Sequence, residues 1–143
     1  MEKNISEDEK ITHHDNVPEN VLNYIRKTML NSYRYSWETM KVTRNYYYQN
    51  WSLIFNKILE NANCSLCYSE DELLKGFSVW RADLLYFVYT RNFMRSQGLG
   101  TKLIKHLVLT NGTINCAFLT KDFHEKIGPK IKYNYHPMER YRF

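Results

Sequence analysis

The spacing of apolar residues predicts two helices in the first half of the chain. Pro18 suits the first turn of a helix. Five apolar residues then recur at helical spacing as far as the Asn31-Ser32 region: Val21, Leu22, Ile25, Met29 and Leu30. A second set falls at offsets of 0, 4, 7, 8, 11 and 12 residues and comprises Tyr47, Trp51, Ile54, Phe55, Ile58 and Leu59. Each set places an apolar stripe along one helix, and the second helix is expected to end near residues 61–63.

Short apolar runs after this point predict strands instead. Residues 64–68 and 74–80 flank the acidic, turn-prone segment 69–72, which favours an antiparallel hairpin. Residues 82–83 then turn the chain again. The run at 84–89 is apolar and aromatic throughout, a pattern typical of a central strand that is buried on both faces. We therefore expect this run at the centre of a sheet.

The remaining elements alternate between helix and strand. Four apolar residues mark an amphipathic helix that stops near Asn111-Gly112, namely Leu99, Leu103, Ile104 and Leu107. Residues 114–120 form the next predicted strand, and residues 90–113 are long enough for a crossover helix, so the two flanking strands pair in parallel through a right-handed unit. A short polar helix at 122–127 and a last strand at 131–135 complete an α/β fold.

Length and composition agree with one soluble α/β domain. The chain has 143 residues, of which 43% are hydrophobic and 24% charged; this length fits one domain with a single core. No run of about 18 apolar residues occurs, and the first residues lack the basic and apolar regions of a signal peptide. We expect a cytoplasmic protein with no membrane partner.

The charges are unevenly distributed along the chain. Residues 1–20 carry six acidic residues against two lysines, so residues 1–16 are predicted to form an acidic, loosely attached N-terminal segment that precedes a domain at 17–143. Between Asp83 and Asp122 no acidic residue occurs, whereas five basic residues do: Arg91, Arg95, Lys102, Lys105 and Lys121. That window is expected to attract an anion, whether a nucleotide, a nucleic acid or a membrane.

The cysteines and histidines favour neither a disulfide framework nor a metal site. Cys64 and Cys67 lie in a predicted strand, where a three-residue spacing points them to opposite faces. A zinc site that also used Cys116 and a histidine would need a second pair of ligands at the usual spacing, and none is present. We therefore expect reduced thiols and no metal, and we interpret His13-His14 as a solvated loop.

The turn between the buried strand and the amphipathic helix carries the clearest candidate chemistry. It reads Arg95-Ser96-Gln97-Gly98-Leu99-Gly100-Thr101. Gly98 and Gly100 let the main chain approach an anion without a Cβ in the way, and converging backbone N–H groups of such a turn bind phosphate. The alternative is a plain strand-to-helix turn.

An aromatic strand, a basic loop, R-x-x-G-x-G and an amphipathic helix in this order resemble motif A of the GNAT family of N-acetyltransferases. The resemblance implies a GNAT-type mixed central sheet with flanking helices and acetyl-CoA as acyl donor. It also implies that the strand bonds the pantetheine arm through Phe87, Val88 and Tyr89. The pyrophosphate would be held by the amides of Gln97, Gly98, Leu99, Gly100 and Thr101, with added charge from Arg95.

A narrower resemblance covers residues 21–135. Ser32-Tyr33-Arg34, the aromatic second helix, Gly76-Phe77-Ser78-Val79-Trp80, the central strand and Lys132-Tyr133-Asn134-Tyr135 together resemble short GNAT-like proteins encoded by bacteriophages. This resemblance implies the host cytoplasm or a virion as location, and self-association or a viral protein as partner. Residues 10–14 are the candidate for the first strand usual in such folds.

The catalytic residues of acyl transfer are less distinct. The base would be Asp83, Glu125, His124 or solvent, and the acid that protonates the thiolate would be Tyr133 or Tyr135. Both tyrosines also alternate as strand residues, and packing is the favoured explanation for them. The helix at 121–126 lacks the Asn and Tyr found close together in active relatives. A catalytically silent structural or protein-binding module is therefore the alternative to an enzyme that acetylates an amine.

Nucleic-acid binding is a further alternative. Tyr33-Arg34-Tyr35 and Tyr46-Tyr47-Tyr48, with Arg44 nearby, resemble the aromatic and basic mixture that stacks on single strands. A packed stripe on a helix face explains the same residues, and the acidic N-terminal segment would repel a phosphate backbone. Nucleic acid is accordingly not the expected partner.

Overall fold

Six strands form one mixed sheet in the computed structural model, which describes residues 11–91 and 98–142. The spatial order follows the chain, from β1 to β6. The strands are β1 (Ile11–His14), β2 (Asn63–Tyr68), β3 (Leu74–Arg81), β4 (Leu84–Thr90), β5 (Thr113–Cys116) and β6 (Lys132–Tyr135). Strands β1 to β4 pair in antiparallel fashion, whereas β4 with β5 and β5 with β6 are parallel.

The helices flank this sheet. They are α1 (Glu19–Tyr33), α2 (Arg44–Asn61) and α3 (Leu99–Ile104), which continues into a 3₁₀ turn at Lys105–Leu107. A π-helical turn at Phe123–Ile127 lies between β5 and β6, and a 3₁₀ helix at Pro137–Tyr141 follows β6. Across the described residues, no helix is both long enough and apolar enough to cross a bilayer.

The core is divided between the two faces of the sheet. On one face α1 and α2 bury a cluster that includes Ile25, Phe55 and Leu66. On the other face Cys67 packs against α3 through Leu99 and Leu103. Because Cys64 belongs to the first cluster and Cys67 to the second, these thiols lie on opposite faces, as their spacing predicts.

Gly76 in β3 allows β4 and α3 to approach closely. A Cβ at this position would lie 2.7 Å from the carbonyl oxygen of Tyr89 and 3.1 Å from Cδ1 of Leu103. Any side chain would therefore push the backbone of β4 away, since separations below 3 Å require atoms to shift. The backbone of β4 near Tyr89 is fixed in part by this glycine.

The structure confirms the α/β class, with a mixed central sheet and flanking helices. The proposed first strand is present, since Ile11–His14 pairs with residues 64–67 of β2. The sheet thus extends into the predicted N-terminal segment 1–16. His13-His14, interpreted above as a solvated loop, belongs to this strand; this interpretation was wrong because the ladder with β2 orders the segment.

Two element boundaries differ from the predictions. The helical segment that α3 forms with its 3₁₀ turn ends at Leu107 rather than near Asn111-Gly112, because Val108 adopts an extended conformation. Gly112 instead closes a separate turn, with its N–H donating to the Leu109 carbonyl at 2.9 Å. Strand β5 ends at Cys116, four residues before the predicted end, and the following residues lead away from the ladder.

A buried arginine fastens the C-terminal 3₁₀ helix to the loop after α1. Arg140 is 2% exposed, and its Nη1 lies 2.7 and 2.9 Å from the two carboxylate oxygens of Glu38. Its Nη2 donates to the Ala117 carbonyl at 2.9 Å, and the guanidinium stacks over the Phe118 ring at 4.1 Å. Burial lowers the pKa of Arg140, but the hydrogen bond to Glu38 and nearby groups raise it by more.

Candidate functional site

A cavity lies where the pairing between β4 and β5 stops. The two strands are joined at only two register positions, Leu84 with Asn115 and Leu85 with Cys116. Strand β4 nevertheless continues to Thr90. The second half of β4 is thus not paired with β5. A cavity of about 380 Å³ lies between it and the segment after β5, lined by residues 87–90 on one side and residues 120–123 on the other.

The start of α3 closes one end of the cavity. Gly98, Gly100 and Thr101 line it there. Gly98 has a φ of +75°, in the left-handed region that favours glycine. A Cβ at Gly100 would lie 3.1 Å from Cδ1 of Ile127, so the absence of a side chain lets the π-helical turn pack directly against this end.

Local hydrogen bonds fix the π-helical turn. The Phe123 N–H donates to Oγ1 of Thr120 at 3.1 Å, and the Gly128 N–H donates to the Phe123 carbonyl at 2.8 Å. Gly128 has no room for a side chain, because a Cβ would lie 2.5 Å from the His124 carbonyl oxygen. Short π-helical insertions occur often at functional sites.

The π-helical turn and the residues on either side of it bring a concentration of positive charge to the cavity. Lys121, Lys126 and Lys130 line it, and Asp122 is the one acidic residue among the described lining residues. Within the same part of the chain, none of the three lysines forms an ion pair with a carboxylate. The cavity is therefore suited to an anionic ligand.

The last turn of α1 supplies Ser32 to the remaining wall, and the loop after α1 supplies Tyr35 and Ser36. The side chain of Ser36 lies 3.0 Å from Oγ1 of Thr39, and Oγ1 of Thr39 donates to the Tyr33 carbonyl at 2.7 Å. The hydroxyl of Tyr33 in turn donates to Glu38. Burial, followed by this hydrogen bond, raises the pKa of Tyr33 above its ordinary value. The loop is thus an ordered wall of the cavity.

Two residues weighed separately as acid and base form a pair in the structure. The Tyr133 hydroxyl lies 2.5 Å from Nδ1 of His124. The Tyr133 ring also packs on Phe123, with centroids 5.5 Å apart, and Phe123 lines the cavity. His124 contacts the Trp37 ring on the loop after α1. Tyr133 thus contacts the lining residue Phe123 from outside the cavity, and Tyr133 and His124 are able to exchange a proton.

Tyr135, the other predicted acid, lies in a different environment. Its hydroxyl accepts a hydrogen bond from Nη2 of Arg140 at 3.2 Å, so it belongs to the network around the buried arginine. Asp83, a candidate base, lies in the turn between β3 and β4, and Glu125 is exposed. Neither of these acids is among the described residues that line the cavity.

The structure brings most of the predicted cofactor residues together. Six of them line the cavity, namely Phe87, Val88, Tyr89, Gly98, Gly100 and Thr101. Leu99, the first residue of α3, is fully buried, so its side chain belongs to the core. Arg95 and Gln97 lie outside the described residues. Sequence reasoning included Lys121 in the basic window but missed Lys126 and Lys130, whose spacing of four residues was the available signal.

A second polar cluster lies away from the cavity, at the edge strand β1. Nδ1 of His13 is 2.6 Å from Oγ of Ser65, to which the Trp80 indole donates at 2.8 Å. The His13 and His106 rings lie 4.5 Å apart. Burial, followed by the charge of His13, lowers the pKa of His106.

The three cysteines are buried free thiols. Burial raises the pKa of Cys64 and of Cys116 to about 12, so the reactive thiolate form is scarce at neutral pH. No group of three or more metal-ligating side chains occurs in residues 11–91 and 98–142. The tyrosines that resembled a stacking surface are divided, since Tyr33 and Tyr47 are fully buried whereas Tyr35 and Tyr46 are exposed.

Comparisons with known proteins identify no family. No family model matches the chain, and no curated protein matches it. Among solved structures, the solution structure of apo-form YjaB from Escherichia coli is similar, with a TM-score of 0.49 and 13% identity over 69% of this chain. The match covers 65% of the YjaB chain, which is less than two thirds of that protein.

Proposed function

We propose that the chain binds acetyl-CoA or a related acyl-CoA in the cavity beside β4. The observation that carries this proposal is the early end of the β4–β5 pairing, which leaves Phe87, Val88 and Tyr89 along a cavity closed by Gly98 and Gly100. The pantetheine arm would lie along β4, and the phosphates would lie at the glycine end. A volume of about 380 Å³ is within the range of small-molecule sites.

The enzymatic form of this proposal is transfer of the acyl group to an amine. The amine nitrogen attacks the thioester carbonyl, the carbon–sulfur bond breaks, and the thiolate takes a proton from the Tyr133 hydroxyl. The proton that the amine loses passes through water to His124, which is exposed to solvent and bonded to that hydroxyl, and His124 returns a proton to the phenolate.

Binding is tested by titrating the purified protein with acetyl-CoA in a calorimeter and by measuring the mass of any CoA that co-purifies. We expect saturable binding by the parent protein. Gly100→Glu should weaken it tenfold or more, because the new side chain collides with Ile127 and places a negative charge at the phosphate end. A parent protein that gives no heat and carries no CoA would contradict the proposal.

Turnover is tested by following thiol release from acetyl-CoA with a panel of amines and peptides. Loss of a general acid typically lowers a rate by about 10² to 10⁴. We therefore expect Tyr133→Phe to reduce thiol release at least tenfold without weakening acetyl-CoA binding. Tyr135→Phe should retain turnover, because its hydroxyl serves Arg140. The reverse result would exchange the roles of the two tyrosines.

A binding module without turnover is the second candidate. It is favoured because Asp122 is the one acidic residue among the described lining residues, and because Tyr133 lies behind Phe123 rather than on the cavity wall. Such a module would serve in protein assembly, as in a virion. Saturable acetyl-CoA binding with no thiol release from any amine would favour this candidate over the enzyme.

A further inference from the structure

Three lysines in and beside the π-helical turn line the cavity, and one of them is next to its glycine end. Ile127 contacts the position of the Gly100 Cβ at 3.1 Å, and Lys126 directly precedes Ile127 in the chain. Lys126 and Lys130 both line the cavity, as does Lys121 at the beginning of the same segment. We call Lys121, Lys126 and Lys130 the lysine rim. The rim therefore concentrates charge where the phosphates of the ligand would lie.

The charge of the lysine rim is not neutralised by the described protein. None of the three lysines forms an ion pair with a described carboxylate, and Asp122 is the one described acid on the cavity wall. Three ammonium groups on one short segment repel one another, and this repulsion is relieved when an anion binds. An anionic ligand in the cavity can therefore pair with these ammonium groups.

A pyrophosphate alone leaves this charge only partly opposed. It carries about two negative charges, and the backbone amides around Gly98 and Gly100 already face it in the proposed pose. A phosphate monoester adds about −1.5 to −2 charge at pH 7 and three strong acceptor oxygens. A ligand that combines both groups matches a rim of three lysines better than a ligand with the pyrophosphate alone.

We infer that the lysine rim recognises the 3′-phosphate of CoA, which makes the site selective for CoA thioesters over dephospho-CoA thioesters. This inference rests on the proposed function, because it concerns the same cavity. The same rim would also select against thioesters carried on a protein-bound phosphopantetheine arm, which lacks this phosphate and the nucleotide.

The experiment compares titrations with CoA and dephospho-CoA at low and moderate salt. We expect the parent protein to bind CoA at least tenfold more tightly, with the difference shrinking as salt is added. Lys126→Ala and Lys130→Ala should each weaken CoA binding about threefold to tenfold and leave dephospho-CoA binding nearly unchanged. Lys57→Ala is the matched control, because Lys57 is exposed on α2 and should leave both affinities unchanged.

The outcomes separate this inference from the proposed function. Equal affinity for the two ligands in the parent protein would overturn the role of the rim while leaving acyl-CoA binding intact. A lysine variant that lowers the affinity for both ligands by the same factor would also overturn it. The rim would then attract anions in general and not recognise the 3′-phosphate. If neither ligand binds, the proposed function fails first. Thermal unfolding of each variant verifies that the fold is retained.

Discussion

Gly98 and Gly112 share a backbone conformation but differ in surroundings. Their φ angles are +75° and +84°, and a Cβ at either position would meet no atom within 4 Å. Both positions therefore require glycine for its conformation and not for its size. Gly98 lines the cavity at the start of α3, whereas Gly112 closes the turn before β5. Substitutions at these two positions therefore distinguish the effect of backbone strain on stability from an effect on ligand binding.

We expect Gly98→Ala and Gly112→Ala each to lower the free energy of unfolding by about 1 kcal/mol, since alanine is strained at positive φ. Acetyl-CoA binding should weaken about tenfold in Gly98→Ala alone, because the backbone amides at the glycine end would turn away from the phosphates. Urea unfolding and ligand titration measure the two effects. Equal loss of binding in both variants would show that the cavity responds to stability rather than to Gly98.

Among the secondary-structure elements, the 3₁₀ turn after α3 meets the edge strand β1 through two histidines. The His106 ring contacts the His13 ring at a tilt and the Trp80 ring edge to face, at centroid distances of 4.5 and 4.6 Å. The pKa of His106 is below its ordinary value because of burial and then the charge of His13. The unfolded chain therefore binds a proton at this residue more readily than the folded chain does.

Acid should accordingly destabilise the protein through His106. The stabilising contribution is complete above the unfolded pKa of about 6.5 and is lost as pH falls through the lower folded pKa. We expect His106→Gln to flatten the dependence of unfolding free energy on pH between about 7 and 5. Urea midpoints across pH give the measurement, and the region from pH 7.5 to 8.5 serves as an internal control. An unchanged slope in the variant would contradict the assignment.

Periodicity predicted the elements of this fold better than their ends. The run at 114–120 was interpreted as one strand because apolar residues indicate burial, but burial does not require pairing. Ala117 and Phe118 are buried in the core cluster of α1 and α2 after β5 has ended. The cavity exists because the chain leaves the ladder at this point, and no local pattern reports such a departure.

The candidate site was predictable to the extent that it is local. Gly98, Gly100 and the strand residues 87–89 are linked by a motif of contiguous sequence, so their association could be proposed from the sequence alone. Lys126 and Lys130 were assigned no role from the sequence. Their position depends on a π-helical turn that needs Gly128 and packs against Gly100, and the contact with Gly100 is a long-range consequence of the fold.

At the scale of the whole molecule, the ion pair of Arg140 and Glu38 joins the C-terminal 3₁₀ helix to a wall of the cavity. Breaking a fully buried pair costs about 3 to 5 kcal/mol. Because the Glu38 side chain is 37% exposed, solvent screening reduces that cost. The loop with Ser36 and Tyr35 therefore depends on a contact formed far along the chain.

We expect Arg140→Met and Glu38→Gln each to lower the free energy of unfolding by about 2 kcal/mol. The double variant should lose less than the sum of the two, with a coupling of at least about 1 kcal/mol. Arg142→Met is the matched control, since Arg142 forms a 3.4 Å ion pair with Glu139 while 78% exposed, and it should change stability by less than about 0.5 kcal/mol. Additive effects of the first two substitutions would contradict the coupling.

The same ion pair has a consequence during protein synthesis. Glu38 and Arg140 are separated by 102 positions, and ribosomes add about 5 to 20 residues per second. For roughly 5 to 20 seconds the nascent chain carries α1 and its following loop without the arginine that fastens them. The wall of the cavity is therefore completed only after Arg140 has left the exit tunnel, so the cavity should form late relative to the synthesis of α1.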